Sequence, residues 1–368
     1  MRASLFCLSL IFLAAVGASE SRAQVPAHRV EILTRGLENP WAVAFLPDGR
    51  ALVTERPGRL RLYADGALSA PLAGVAEVWA RGQGGLLDVA VDPDFARTGF
   101  VYFTLAAPSG NGALTRLARA RLDGTTLRDW RTLLDAGPAG TNGRHFGARI
   151  VFGADGMLYM STGDRGEDER AQRPGDLAGK VVRLAPDGRV PRDNPFVGRP
   201  GFRPEIYSLG HRNAQGFARD PRDGALWSTE HGPRGGDELN LVKPGLNYGW
   251  PIVTRGRDYG TGRPIGEATS RPGMEDAVHY WEPTSPAPSG LAVYDGAAFP
   301  AWRGDLLAGM LQTRAIHRLT VRDGRVTNEE RLAEGLARIR DVRVGPDGFV
   351  YFLTDERDGA LGRIVPAN

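Results

Sequence analysis

A six-bladed β-propeller of four-stranded antiparallel blades is the fold this sequence predicts, on three observations. A hairpin phrase built around an Asp-Gly turn recurs from one end of the chain to the other. Turn formers are abundant, with 49 Gly and 26 Pro in 368 residues. No segment reads as a helical domain or a Pro-rich linker, so residues 24–368 are expected to form one domain.

The recurring phrase is a short β-rich run, an Asp-Gly turn and a second β-rich run. Trp41 to Phe45 leads through Asp48-Gly49 to Ala51–Glu55. Arg149 to Phe152 leads through Asp155-Gly156 to Met157–Asp164. Gly216 to Ala218 leads through Asp223-Gly224 to Ala225–Glu230, and Asp341 to Val344 through Asp347-Gly348 to Phe349–Asp355. A degenerate copy runs from Asp88 through Asp92-Pro93 to Thr104. Further turns at Asp65-Gly66, Asp123-Gly124, Asp187-Gly188 and Asp323-Gly324 lie between apolar runs and suggest outer hairpins. About 345 residues divided by roughly 40–60 per blade gives six to eight blades, and the long insertions favour six. Two stacked β-sandwiches are the alternative, and the same phrase near both termini argues against them.

The N-terminus reads as a signal peptide over residues 1–23. Arg2 supplies the positive region, Leu5 to Val16 an apolar run too short to span a bilayer, and Ser21-Arg22-Ala23 a cleavage site. The single cysteine, Cys7, falls within it, so the mature chain would lack disulfides. A periplasmic or secreted protein with no membrane span follows. Forty-six basic and 43 acidic residues give a net charge of +3, well mixed along the chain. No clustered basic footprint marks a nucleic-acid partner.

Common catalytic signatures are absent. Gly82-Gln83-Gly84-Gly85 lacks the spaced third glycine of a dinucleotide fold, and Pro174 stands where a phosphate loop ending at Gly179-Lys180 needs its first glycine. There is no His-Glu-x-x-His and no Gly-x-Ser-x-Gly. Polar and glycine residues concentrate instead in five inter-strand segments. These are Gly82 to Leu87, Gly143 to Gly147, Leu209 to Gly216, Thr229 to Asn240, and Arg338 to Asp341. Singly, each reads as turn chemistry with a surface charge. Loops of successive propeller blades converge on one face, however, and together they suggest a polar pocket for an anionic ligand.

These segments resemble the soluble pyrroloquinoline quinone (PQQ)-dependent sugar dehydrogenases, a six-bladed family that includes soluble glucose and aldose sugar dehydrogenases. The strongest stretches are Leu209-Gly-His-Arg-Asn-Ala-Gln-Gly216, Glu230-His-Gly-Pro233, Asp237-Glu-Leu-Asn240 and Asn247-Tyr-Gly-Trp-Pro251. The match runs from Gly36–Trp41 to Thr354-Asp355, and Pro286-Ala-Pro-Ser-Gly290 places it nearer the aldose branch.

The resemblance implies that His145 accepts the sugar C1 hydroxyl proton while hydride passes to the quinone. It makes Asp164 the carboxylate orienting that histidine, and Gln83 a neighbour of the reacting sugar. Arg212 would polarise the quinone carbonyl, with Asn213, Arg338 and Arg340 binding the cofactor's oxygens. Gly232 and Pro233 match backbone ligands of a cofactor-binding Ca2+, and Glu238 and Tyr248 resemble a second, structural calcium site. Two departures stand out. Arg144 occupies the place of an aspartate before the histidine. Gln312 replaces a cofactor-binding lysine, with Arg314 as the nearby cation that would compensate.

The implied activity is oxidation of aldose C1 hydroxyls to lactones by an exported quinoprotein with PQQ and Ca2+. The sequence identifies neither the preferred sugar nor the electron acceptor. A non-catalytic propeller binding a sugar or a protein through the same face is the alternative. A calcium-dependent lactone hydrolase would need a carboxylate-lined metal in the channel, which the arginines disfavour.

Overall fold

The computed structural model describes residues 27–367; the expected signal peptide lies outside them. The Asp-Gly phrases fold as hairpins, and the aspartate closes each turn on itself. The Asp48, Asp155, Asp223 and Asp347 carboxylates each accept the backbone N–H two residues on, at 2.9–3.1 Å. Of the four further turns, those at Asp65, Asp123 and Asp323 join third and outer strands. Asp187 also lies between a third and an outer strand, Lys180–Leu184 and Ile206–Leu209, and accepts the Arg189 N–H at 3.1 Å, but its turn is only the start of a long connection.

The strands assemble into six four-stranded antiparallel sheets, a six-bladed propeller. Among the described residues the helical elements are Phe95–Thr98 and the short 3-10 turns Asp168–Gln172 and Pro300–Trp302. Innermost strands are Pro40–Phe45, Leu86–Val91, Gly147–Phe152, Ala214–Arg219, Pro288–Val293 and Ile339–Val344, which contact one another in a closed ring. The sixth blade joins the two ends of the chain. His28–Leu37 pairs antiparallel with Gly359–Pro366, so the ring closes through backbone hydrogen bonds. Apolar side chains fill the space between sheets: Leu52, Leu87, Val89, Phe103 and Leu105 all pack in one buried cluster. This radial repetition leaves each blade an outer edge strand and buries the core between blades.

All six innermost strands share an irregularity near their first residues. Pro40 pairs with Glu55 and Ala42 with Thr54, leaving Trp41 as an extra residue. Gln215 is extra between Ala214 and Gly216, and Arg340 between Ile339 and Asp341. Equivalent register shifts fall at Leu86/Val89, Gly147/Ile150 and Pro288/Leu291. Such bulges re-aim side chains, and here they mark the end of the channel where the polar loops converge.

Below this tier the axis is closed by charge. Arg149 is fully buried, with Nη1 2.8 Å from Asp341 Oδ1 and 3.6 Å from Asp88 Oδ1. Arg343 approaches the same two carboxylates at 3.2 Å. Arg149 also donates from Nε to the Gln215 carbonyl and from Nη2 to the Arg340 carbonyl. Asp341 accepts the N–H of Val43 and Asp88 that of Ile150. Five blades thus meet in one network. Removing a single partner strands buried charge, which costs about 3–5 kcal/mol. Arg149→Met should therefore lower stability toward denaturant by that order; a loss under about 1 kcal/mol would show the network to be dispensable.

Candidate active site

At the bulged end of the channel lies a cavity of about 330 Å³. Every blade contributes to it. Gln83, Asn213, Gln312, Arg338 and Arg340 line it as the sequence suggests, together with Trp41, Arg56, Gln215, His231 and Asp355. Three lining guanidiniums, Arg56, Arg338 and Arg340, face one carboxylate, Asp355, so the cavity favours an anion.

The arginines are held in place. Arg340 donates from Nη2 to Asp355 Oδ2 at 2.7 Å and from Nη1 to Gln215 Oε1 at 3.0 Å. Arg338 Nη2 lies 3.5 Å from the same Asp355 oxygen and its Nη1 donates to the Leu311 carbonyl. Burial opposes charge on Asp355, but the Arg340 and Arg338 guanidiniums outweigh it and hold the carboxyl below its usual range. Arg314 is not brought to this cavity. It is exposed, with Nη2 3.5 Å from the Leu336 carbonyl, so the compensating cation expected beside Gln312 points elsewhere.

His145 sits at the cavity's edge, beside the lining residues Phe146 and Gly147, and is 8% exposed. Its backbone adopts φ 51°, uncommon for a non-glycine residue, and its N–H is anchored by Gln83 Oε1 at 2.7 Å. Nδ1 lies 2.7 Å from Asp164 Oδ1. Gly163 makes this approach possible, because a Cβ there would stand 2.0 Å from the His145 carbonyl oxygen. Asp164 also accepts Trp250 Nε1–H at 2.8 Å and the Gly166 N–H. Burial raises the Asp164 pKa, yet the His145 hydrogen bond and charge more than offset it, keeping the carboxyl below the usual range. With Nδ1 committed to a carboxylate, Nε2 is the nitrogen left to take a proton.

Arg212 follows on the next inter-blade loop. Its carbonyl accepts the Asp164 N–H, and Nη1 donates to the carbonyls of His231 and Gly232 at 2.9 and 3.0 Å. The Glu230 carboxylate fixes this loop by accepting the N–H groups of Arg212 and Asn213 and facing His211 Nδ1 at 3.0 Å. Burial, then Arg340 and Arg212, push the His231 imidazole down to about 3, so it is neutral. Around the cavity Arg212 Nε, Arg340 Nε, His231 Nε2 and Asp355 Oδ1 are buried without partners. Unpaired buried donors are costly, and a ligand bearing carbonyl or carboxylate oxygens would satisfy the two arginine Nε–H groups, whereas the Asp355 oxygen is an acceptor.

The residues named for calcium form two groups. Gly232 and Pro233 lie in a loop pinned by Asp237, whose Oδ1 accepts the Gly232 N–H and Oδ2 the Ala287 N–H, both at 2.9 Å. Here the Gly232 carbonyl is engaged by Arg212. Glu238 lies across the strand pair from Glu230, and burial together with that neighbour raises its carboxyl to about 8. The Tyr248 hydroxyl is committed to Leu241 O and Lys243 N–H, so a metal role falls to its carbonyl. Among the described residues, no three His, Cys, Asp or Glu side chains are arranged to hold a metal. Backbone oxygens would have to complete either site, as suits a hard cation.

Sequence reading missed Arg56, Gln215, His231, Asp355 and Trp250 as site residues. Gln215, His231 and Trp250 stand inside the quoted motif stretches, and Thr354-Asp355 ends the last repeat; their positions carried the signal. Arg56 gave none.

The Glucose / Sorbosone dehydrogenase family model matches residues 37–363. Aldose sugar dehydrogenase YliI of Escherichia coli (strain K12) is 45% identical over 347 residues, 92% of this chain and 93% of that protein. A crystal structure of a glucose dehydrogenase superposes with TM-score 0.89 at 48% identity, covering 92% of this chain and all of that one, 100%. The PQQ-bound aldose sugar dehydrogenase of Streptomyces coelicolor superposes with TM-score 0.75 at 29% identity, covering 93% and 99% of the two chains. With its propeller, its His145–Asp164 pair and this extent of match, the chain belongs to the Glucose / Sorbosone dehydrogenase family.

Proposed function

We propose that the protein is an exported, PQQ- and Ca2+-dependent aldose dehydrogenase that oxidises the C1 hydroxyl of aldose sugars to lactones. The observation that carries this reading is the His145–Asp164 pair, 2.7 Å apart, at the edge of an arginine-lined cavity. The names of the related aldose and glucose dehydrogenases and the PQQ-bound neighbour support it.

Asn213, Arg338, Arg340 and Gln312 would hold the cofactor, the guanidiniums as partners for its carboxylates. Bound there, PQQ would supply a two-electron hydride acceptor for the sugar C1–H. His145 takes the C1 hydroxyl proton on Nε2. Asp164 fixes the ring through Nδ1–H and offsets the positive charge that the imidazole gains. Trp250 and the Gly166 N–H keep Asp164 ionised and aimed. Arg212 offers its guanidinium to an oxygen that becomes more negative during the reaction. Gln83 ties the base to the next loop and borders the sugar. Gly232 and Pro233 would offer carbonyl oxygens to calcium, the Gly232 oxygen exchanging Arg212 for the cation.

His145→Gln should keep the fold and cofactor binding while turnover drops by about 10²–10⁴-fold. Asp164→Asn should cost less. A cofactor-loaded His145→Gln protein that oxidises sugar at the wild-type rate would end this assignment.

Arg338→Ala or Arg340→Ala should each weaken PQQ binding by roughly 1.5–3 kcal/mol, the value of a charge-assisted hydrogen bond. Equal affinity in equilibrium dialysis would remove both from the cofactor site. Gln312→Lys should tighten binding, since Arg314, the cation expected to compensate, points away from the cavity.

A pH dependence follows from Glu238. Its folded pKa of about 8 lies above the 4.5 of an ordinary glutamate. The folded state therefore holds a proton that the unfolded chain releases, and stability falls as pH rises between these values. Calcium takes the ionised form and cancels that loss. The rise in Tm on adding calcium to chelator-treated protein should grow from pH 5 to pH 8, and Glu238→Gln should flatten it. A calcium effect independent of pH would exclude Glu238 as a ligand.

A further inference from the structure

The cavity has both polar and apolar lining. The bulges deliver Gln215 and Arg340 from the fourth and sixth blades, and Trp41 and Leu87 from the first and second. Asn213, Arg338 and Arg340 give it polar lining; Trp41, Leu87 and Phe146 give it apolar lining. Both aromatic rings are backed by buried cations. The Arg149 guanidinium lies 3.9 Å from the Trp41 ring centroid and that of Arg165 lies 3.4 Å from Phe146. Neither arginine reaches solvent. Arg149 cannot give way, since it also holds Asp341 and the carbonyls of Gln215 and Arg340. Trp41 is 3% exposed, so an indole braced by Arg149 meets the cavity with a small, fixed part of its surface.

We infer that Trp41 is a cofactor-binding residue: a fixed aromatic contact for the ring system of the anionic quinone while its oxygens meet the arginines. The inference rests on the cofactor reading above. Aromatic pairs gain beyond the area they bury, edge-to-face as well as offset, and a rigid contact loses little entropy on binding. The same guanidinium that braces Trp41 holds the Arg340 backbone, so one side chain sets the spacing between the apolar surface and the anion partner.

The test is PQQ binding to calcium-loaded apoprotein by equilibrium dialysis, with the bound-minus-free absorption spectrum as a second readout. Trp41→Leu should raise Kd about tenfold or more, and Trp41→Phe, which keeps a ring, by about threefold or less. The difference spectrum should shift in Trp41→Phe, because an indole has been replaced by benzene beside the chromophore. A folded Trp41→Leu protein with wild-type Kd would overturn the inference. Should that variant not fold, an unshifted spectrum in Trp41→Phe would overturn it. Wild-type protein that takes up no PQQ would overturn the cofactor reading and this inference together, whereas normal uptake with no response at Trp41 would overturn this inference alone.

Discussion

One buried guanidinium organises this molecule. Arg149, on the axis, is neutralised by Asp88 and Asp341 and reaches the backbone of the fourth and sixth blades. A propeller must fill the centre of its ring, and apolar residues would do so without fixing any register. Charges that must be paired impose one arrangement, and the blades meeting there inherit it. The functional end of the channel stands on that tier. Arg340 directly precedes Asp341, the Gln215 carbonyl accepts from Arg149, and Trp41 lies two residues before Val43, whose N–H reaches Asp341. Their placement is therefore tied to the paired charges beneath them.

The division of labour between strands and loops follows. Strand bulges supply the fixed floor, and inter-blade loops supply the groups that exchange protons and hold charge. Even those loops are pinned by carboxylates rather than left free. Asp164 binds the histidine, Glu230 the Arg212–Asn213 backbone, Asp237 the Gly232 loop and Asp355 the two arginines. Each acid compensates a neighbouring donor, so the site arranges its cations before any ligand arrives.

Much of this was legible in the sequence. The Asp-Gly phrase disclosed four of the blades and its degenerate Asp92-Pro93 copy a further one, because the turn aspartate bonds to its own backbone, a local interaction that leaves a local signature. The fifth blade escaped because its first two strands are separated by the longer segment 294–305. The histidine, its carboxylate and the arginine cluster were legible from motif stretches. The bulge residues were not, since an extra residue in a strand is visible only against its partner's register. Arg149 read as an ordinary strand residue, and its pairing with Asp341 spans 192 positions. Arg314 failed for the reverse reason: nearness in sequence to Gln312 did not carry its side chain to the same side of the loop.

The most direct measurement is reconstitution of the chain with PQQ and calcium, followed by assay of an aldose panel with an artificial dye. Dye reduction that requires both PQQ and calcium, with lactone formed in step with dye reduced, is the expected result. A protein that takes up PQQ and calcium yet oxidises no aldose would contradict it, leaving a propeller that binds through the same face without catalysis.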